Sequence, residues 1–285
     1  MDNTKSVEKP MEGMRRKEDG TIELTIIIPW HEADKAKVGI EEELIKSVEL
    51  PGFRKGQAPA HLAKAKLSPE LVKEEVLKKV VGKAYNDAIV KNNLRPIISP
   101  RVHIEVFEDG TDIVFMAETA EEPAISLGNY KAEIQKVTSA SKIAVQGKEE
   151  TTKPTIDQIV EAAMGQVSVK IPDVLVESEV SRLLSQLLDE LKQLGLTLEQ
   201  YLRTRQKNPE QLREEYKEKA ERDLKLEFFL RKVADEEKIS VEKEDVEKAM
   251  ATIEDEKQRK DLLQNPYLVA GIIRQQKTLD FLTKI

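Results

Sequence analysis

Between Pro51 and Pro59 the chain reads Pro51-Gly52-Phe53-Arg54-Lys55-Gly56-Gln57-Ala58-Pro59, a set of residue types suited to capture, with nothing in it that makes or breaks bonds. Its glycines and prolines cannot propagate a helix or a sheet, so the stretch is predicted to be a projecting, stiffened turn that presents one aromatic ring and two cations. From Pro51 to Pro69 there are four basic residues (Arg54, Lys55, Lys64, Lys66) and no acid, while Glu41, Glu42, Glu43 and Glu49 precede it and Glu70, Glu74 and Glu75 follow. The whole chain carries a net charge of -7, so a contact with an anion such as RNA has to be local to this tip. The alternative for the same residues is an ordinary solvated loop with Phe53 folded back into its own module.

Catalytic chemistry finds little footing elsewhere. The three histidines, His31, His61 and His103, stand in no catalytic or metal-ligand spacing and read as structural or solvated. Acidic runs such as Glu41-Glu42-Glu43 are contiguous and spread around a helix. The dinucleotide, phosphate-loop, zincin and nucleophile-elbow motifs are all missing. With no cysteine, disulfides and thiolate metal sites are excluded. The expectation is no catalytic residue, no metal and no cofactor.

The elements that must hold the tip are an α+β module. Thr21–Ile28 alternates apolar and polar residues as a half-buried strand, and Trp30–Leu50 carries a helical stripe of Ala33, Ala36, Ile40, Leu44 and Val48. Trp30 reads as a core anchor at the strand–helix corner. Ala60–Lys66 is a short basic helix, and Ser68-Pro69-Glu70 starts a long helix that runs to Asn92-Asn93. Strands Arg101–Phe107 and Thr111–Thr119 follow, joined at Asp109-Gly110 by an expected two-residue type I′ hairpin.

Beyond residue 120 the chain is polar until Thr155 and helical afterwards. Capping signals recur at Thr155, Thr197 with Gln200, and Asn208 with Gln211, and Gly195 ends the helix that begins at Asp173. A hydrophobic content of 39% and an aromatic content of 4% make a lean core for 285 residues and suggest extended helical architecture. The expected division is 1–20 leader and first turn, 21–120 α+β domain, 121–154 linker and 155–285 helical domain. The N-terminus has no signal-peptide core and there is no run of 18 apolar residues, which points to a cytoplasmic protein.

Gly52-Phe53-Arg54-Lys55-Gly56 followed by Pro59 resembles the ribosome-docking signature of the trigger factor family, chaperones that meet nascent chains at the ribosomal tunnel exit. Asn93-Leu94-Arg95-Pro96 and Pro123–Tyr130 extend the similarity over about the first 130 residues. Ile171-Pro172, Val176–Val180 and Gly195–Leu202 resemble the family's C-terminal domain. The resemblance implies an α+β N-terminal ribosome-binding module, a small antiparallel sheet with long helices, followed by an all-α C-terminal chaperone domain. It also implies that Gly52, Phe53, Arg54, Lys55, Gly56 and Pro59 form the contact with ribosomal protein and rRNA of the large subunit, and that unfolded nascent polypeptides are the clients.

The family's inserted prolyl isomerase domain has no room here, because from Tyr130 the chain runs through a polar tract directly into helical pattern, and every aromatic after Tyr130 sits in a helical period instead of lining a pocket; no isomerase activity is expected. Two alternatives stand beside the ribosome-bound, ATP-independent chaperone: an isomerase with an unrecognised site, and a cytosolic holdase independent of ribosomes. A homodimer of the free protein is kept as a further partner, whereas membrane and DNA are not expected.

Overall fold

The computed structural model describes residues 12–47, 53, 59–140, 154–251, 259, 262 and 264–285. The chain divides into two compact units. One runs to Glu122 and takes in Pro172–Leu175, and the other comprises Pro123–Ile171 and Val176–Ile285.

Among the described residues the first unit is a four-stranded antiparallel sheet in the order β1 (Gly13–Arg16), β2 (Ile22–Ile28), β4 (Ile113–Thr119), β3 (Arg101–Val106), covered on one face by helices. β2 (Ile22–Ile28) buries every second residue, as its alternation requires. β4 (Ile113–Thr119) pairs with it so that Ile26 faces Phe115 and Leu24 faces Ala117. α1 (Trp30–Ser47) and α3 (Pro69–Lys91) lay Ala33, Ile40, Val72, Val76 and Val80 onto those strands. Trp30 packs half-buried against this core, and its backbone N–H donates to Asp112 Oδ1 at 2.9 Å, tying the strand–helix corner to the start of β4.

Two sequence expectations need correction here. The segment assigned to a leader contains β1 (Gly13–Arg16), paired along β2. Its four residues are all exposed, so no alternation marks them, and ion pairs flank the strand: Arg15 to Glu23 at 2.5 Å and Arg16 to Glu121 at 2.7 Å. Lys17 sits between Glu118 and Glu23, and their hydrogen bonds hold its pKa well above the usual lysine value. The turn between β3 (Arg101–Val106) and β4 is wider than a two-residue hairpin. Thr111 N–H donates to Glu108 O, Gly110 alone takes positive φ (+88°), and a bulge between Ile104 and Val106 shifts the register. A type I′ turn would need positive φ at Asp109 as well.

Tyr85 of α3 is buried, and its hydroxyl has no hydrogen-bond partner among the described residues. An unmade bond at a buried hydroxyl costs about 1–3 kcal/mol. Tyr85→Phe is therefore expected to stabilise the unit by about 1 kcal/mol, read as a melting temperature raised by about 2–4 °C. A lowered melting temperature would show that the hydroxyl is satisfied after all.

Among the described residues the second unit is helical apart from one short ladder, β5 (Ile125–Ser126) with β6 (Ser168–Val169). Where a linker was expected over 121–154, the chain forms β5 and then α4 (Tyr130–Ala140), whose Tyr130 and Ile134 enter the core; only 141–153 lies outside the described residues. That core is completed by α5 (Ile156–Met164), by Phe229, Leu230 and Val233 of α8 (Pro209–Glu236), and by Leu282 of the last helix. Two smaller clusters run along α6 (Asp173–Gln193). Val176, Val180 and Leu183 meet Ala220 of α8, and Leu187 and Leu191 meet Leu202 of α7 (Leu198–Arg205) and Leu212 of α8. α9 (Lys243–Ala251) and α10 (Pro266–Leu282) also belong to the unit.

Thr155, Thr197 and Asn208 each form a full capping box with Gln158, Gln200 and Gln211. Gly195, at φ +69°, closes α6, with Leu196 N–H donating to Leu191 O at 2.9 Å.

Candidate functional site

The tip is held by a helical hairpin. α1 and α3 run antiparallel: Glu43 and Leu44 lie beside Glu75 and Lys79, and His31 and Lys35 lie beside Lys83 and Asp87. The segment between the two helices therefore leaves and returns at one end of the pair.

Its return is well anchored. Pro59 caps α2 (Ala60–Lys64) in extended conformation (φ -54°, ψ 131°), and Ala63 is fully buried. Lys64 Nζ lies 2.6 Å from Glu41 Oε2, and Leu67 rests on the core. Ser68 Oγ accepts from Leu71 N–H at 3.4 Å and donates to Glu70 Oε2 at 2.6 Å, with Pro69 at the first helical position. Proline and serine thus fix the path of the chain into α3.

Of the six residues expected to form the contact, Phe53 and Pro59 are described, while Gly52, Arg54, Lys55 and Gly56 lie outside the described residues. Phe53 is 44% exposed. Of the two other cations counted toward the tip, Lys66 is exposed, but Lys64 is spent on Glu41 within the module.

The exposed apolar residues fall into groups that sequence periodicity alone did not separate from the core. Leu194 continues the α6 stripe, yet it is 72% exposed, and Leu188 and Leu196 beside it are also exposed. On α10, Tyr267 is 93% exposed, with Leu268 and Ile272 following one and five residues later. Leu194, Leu268 and Ile272 lie on apolar helical stripes whose period does not say which residues face the core. The signal that could have set them apart is position, since each lies at a helix end or in the first turns of a helix, where no partner helix among the described residues covers the stripe.

His31, His61 and His103 are all exposed, and among the described residues no three acidic or imidazole side chains converge as a metal site. Tyr201, Tyr216, Phe228, Phe229, Tyr267 and Phe281 all lie on helices. No helix among the described residues is long and apolar enough to cross a membrane.

Two family models match the chain. One, for the bacterial trigger factor protein, matches residues 11–159, and a second, for the bacterial trigger factor C-terminus, matches residues 131–284. The chain belongs to the trigger factor family. The two matches overlap, leaving no residues between them for a third domain, and no prolyl isomerase domain is detected.

The trigger factor of Staphylococcus epidermidis (strain ATCC 35984) is 20% identical over 414 residues, covering 94% of this chain and 96% of that protein. An alignment of 414 positions on a chain of 285 residues crosses a long stretch of the relative that has no counterpart here. The trigger factor of Staphylococcus aureus (strain Newman) is 31% identical over 114 residues, 40% of this chain and 26% of that protein. A solved trigger factor chaperone, studied for promiscuous substrate recognition in folding and assembly, superposes with a TM-score of 0.59 at 16% identity, covering 95% of this chain and 99% of that one. At that identity the match bears on the fold: an N-terminal module of sheet and helices and a helical C-terminal domain.

Proposed function

We propose that this trigger factor is an ATP-independent cytoplasmic chaperone that docks at the tunnel exit of the large ribosomal subunit through the 51–59 tip and shields emerging polypeptides with its helical unit. The observation that carries the reading is the exposure of Phe53, at 44%, on a segment anchored at its return by Pro59, Ala63 and Ser68. An aromatic ring held out in this way gains by burial against a partner surface, while Arg54 and Lys55 add attraction to rRNA phosphates.

Client holding is supported by the exposed Leu188, Leu194 and Leu196, and by Tyr267, Leu268 and Ile272. Separate apolar patches suit a binder that reads hydrophobicity and no particular sequence. The absence of a detected isomerase domain, and the helical setting of every described aromatic after Tyr130, support a chaperone without prolyl isomerase activity.

Pelleting with ribosomes across a salt series tests the docking. With two cations on phosphate, affinity is expected to fall roughly 25- to 60-fold for each tenfold rise in salt. Proline-limited refolding of a reporter protein, run in parallel, is expected to proceed at its uncatalysed rate. Failure to pellet at any salt concentration, or clear acceleration of the refolding, would contradict the proposal.

A further inference from the structure

The sheet of the first unit ends on β3, which pairs only with β4 among the described residues. Every second backbone N–H and C=O along Arg101–Val106 therefore faces outward without a strand partner among the described residues. Charge is the usual guard on such an edge, and here it stands on the wrong side to block the helix-covered face. Arg101 and His103 lie opposite Glu118 and Met116, while Val102 and Ile104 lie opposite the core residues Ala117 and Phe115.

On that core-side face the helices stop short of β3. Leu77, Val81 and Tyr85 of α3 form one wall of a groove of about 700 Å³, Ile97 and its neighbours close one end, and Val102 and Ile104 form the other wall. Val102 is 38% and Ile97 39% exposed, so the core is open along this side. Among the described residues the only charged side chain on the groove is Lys78, already paired with Glu74 and Glu75 at 2.9 Å. Tyr85, with its unpartnered hydroxyl, is part of the same wall.

We propose that the β3 edge is a polypeptide-binding site of the first unit, taking an extended segment of an unfolded client as a fifth strand with alternate apolar side chains seated in the groove. Backbone pairing supplies attraction that is independent of client sequence, and the groove selects for apolar residues at every second position. A client fits this edge better than a second copy of the chain does. The bulge between Ile104 and Val106 leaves only Arg101–Ile104 as regular strand, so two rigid edges would meet over four residues, whereas a flexible segment follows the groove past the bulge. The inference rests on the chaperone reading of the protein but is independent of the tip.

The test uses the full chain without ribosomes and a short fluorescent peptide of alternating Val and Thr. Bound peptide is expected to slow hydrogen exchange of the outward amides between Arg101 and Ile104. Val102→Glu is expected to weaken binding at least about tenfold by placing a charge in the groove, and Ile97→Glu, outside the strand, to do the same. N-methylation of alternate peptide amides is expected to abolish the exchange protection. A Phe53→Ala, Arg54→Ala, Lys55→Ala protein is expected to bind the peptide normally, so loss of ribosome docking and loss of this site are read separately.

Peptide binding that leaves Arg101–Ile104 exchange unchanged would overturn the proposal, as would full affinity in both glutamate variants with circular dichroism confirming their fold. Protection of the same amides that rises with protein concentration and needs no peptide would assign the edge to self-association and also overturn it.

Discussion

Phe229→Ala is expected to lower the stability of the helical unit by about 3–5 kcal/mol, the range for emptying a fully buried aromatic site. Phe229 is 0% exposed at the centre of the cluster that joins α4, α5, α8 and α10, and it meets Tyr130 edge-to-face with ring centroids 5.7 Å apart. The substitution removes apolar burial and the ring pair together, and α4 has few other residues with which to compensate. Urea unfolding followed by helical circular dichroism should show a lower midpoint, with Trp30 fluorescence reporting separately on the first unit. An unchanged midpoint would mean that α4 does not depend on this core.

Gly128→Ala is expected to cost nearly as much. Gly128 has φ +56°, and a Cβ placed there would sit 2.7 Å from the backbone oxygen of Gln166, at the end of the β5–β6 ladder. The left-handed backbone costs an alanine about 1–2 kcal/mol, and the collision with a backbone atom that cannot swing away adds about 1–3 kcal/mol. The total of roughly 2–5 kcal/mol is to be read as a second drop in the same unfolding midpoint. A neutral substitution would mean that the 127–129 segment is free to move off Gln166.

These residues show how much of the molecule was legible in its sequence. β2, α1, α3 and α8 announce themselves because each must bury a continuous stripe and each period is long enough to count. Ser68, Thr155, Thr197, Asn208 and Gly195 mark helix ends because orphan backbone groups at a terminus demand particular side chains, and the structure uses all five in those roles. β1 was illegible because an edge strand flanked by ion pairs needs no alternation. α4 was illegible because, among its described side chains, Tyr130 and Ile134 alone are buried in the core, too few to establish a period.

The tip is an expectation read from Phe53, Arg54 and Lys55 between glycines and prolines, and of these three the structure describes Phe53 alone. The sequence overcounted its cations, since nothing local tells Lys64 that Glu41 is 2.6 Å away. Periodicity likewise could not separate Leu194 or Ile272 from the core, because it reports which face of a helix is apolar and says nothing of whether another element covers that face.

The central claim, that one small aromatic and cationic tip anchors the protein on the ribosome, is tested most directly by pelleting Phe53→Ala, Arg54→Ala, Lys55→Ala beside the parent protein at low salt. Removing both cations and the exposed ring is expected to reduce the ribosome-bound fraction at least about tenfold while circular dichroism and the unfolding midpoint stay the same. Equal pelleting of the folded variant and the parent protein would contradict the account.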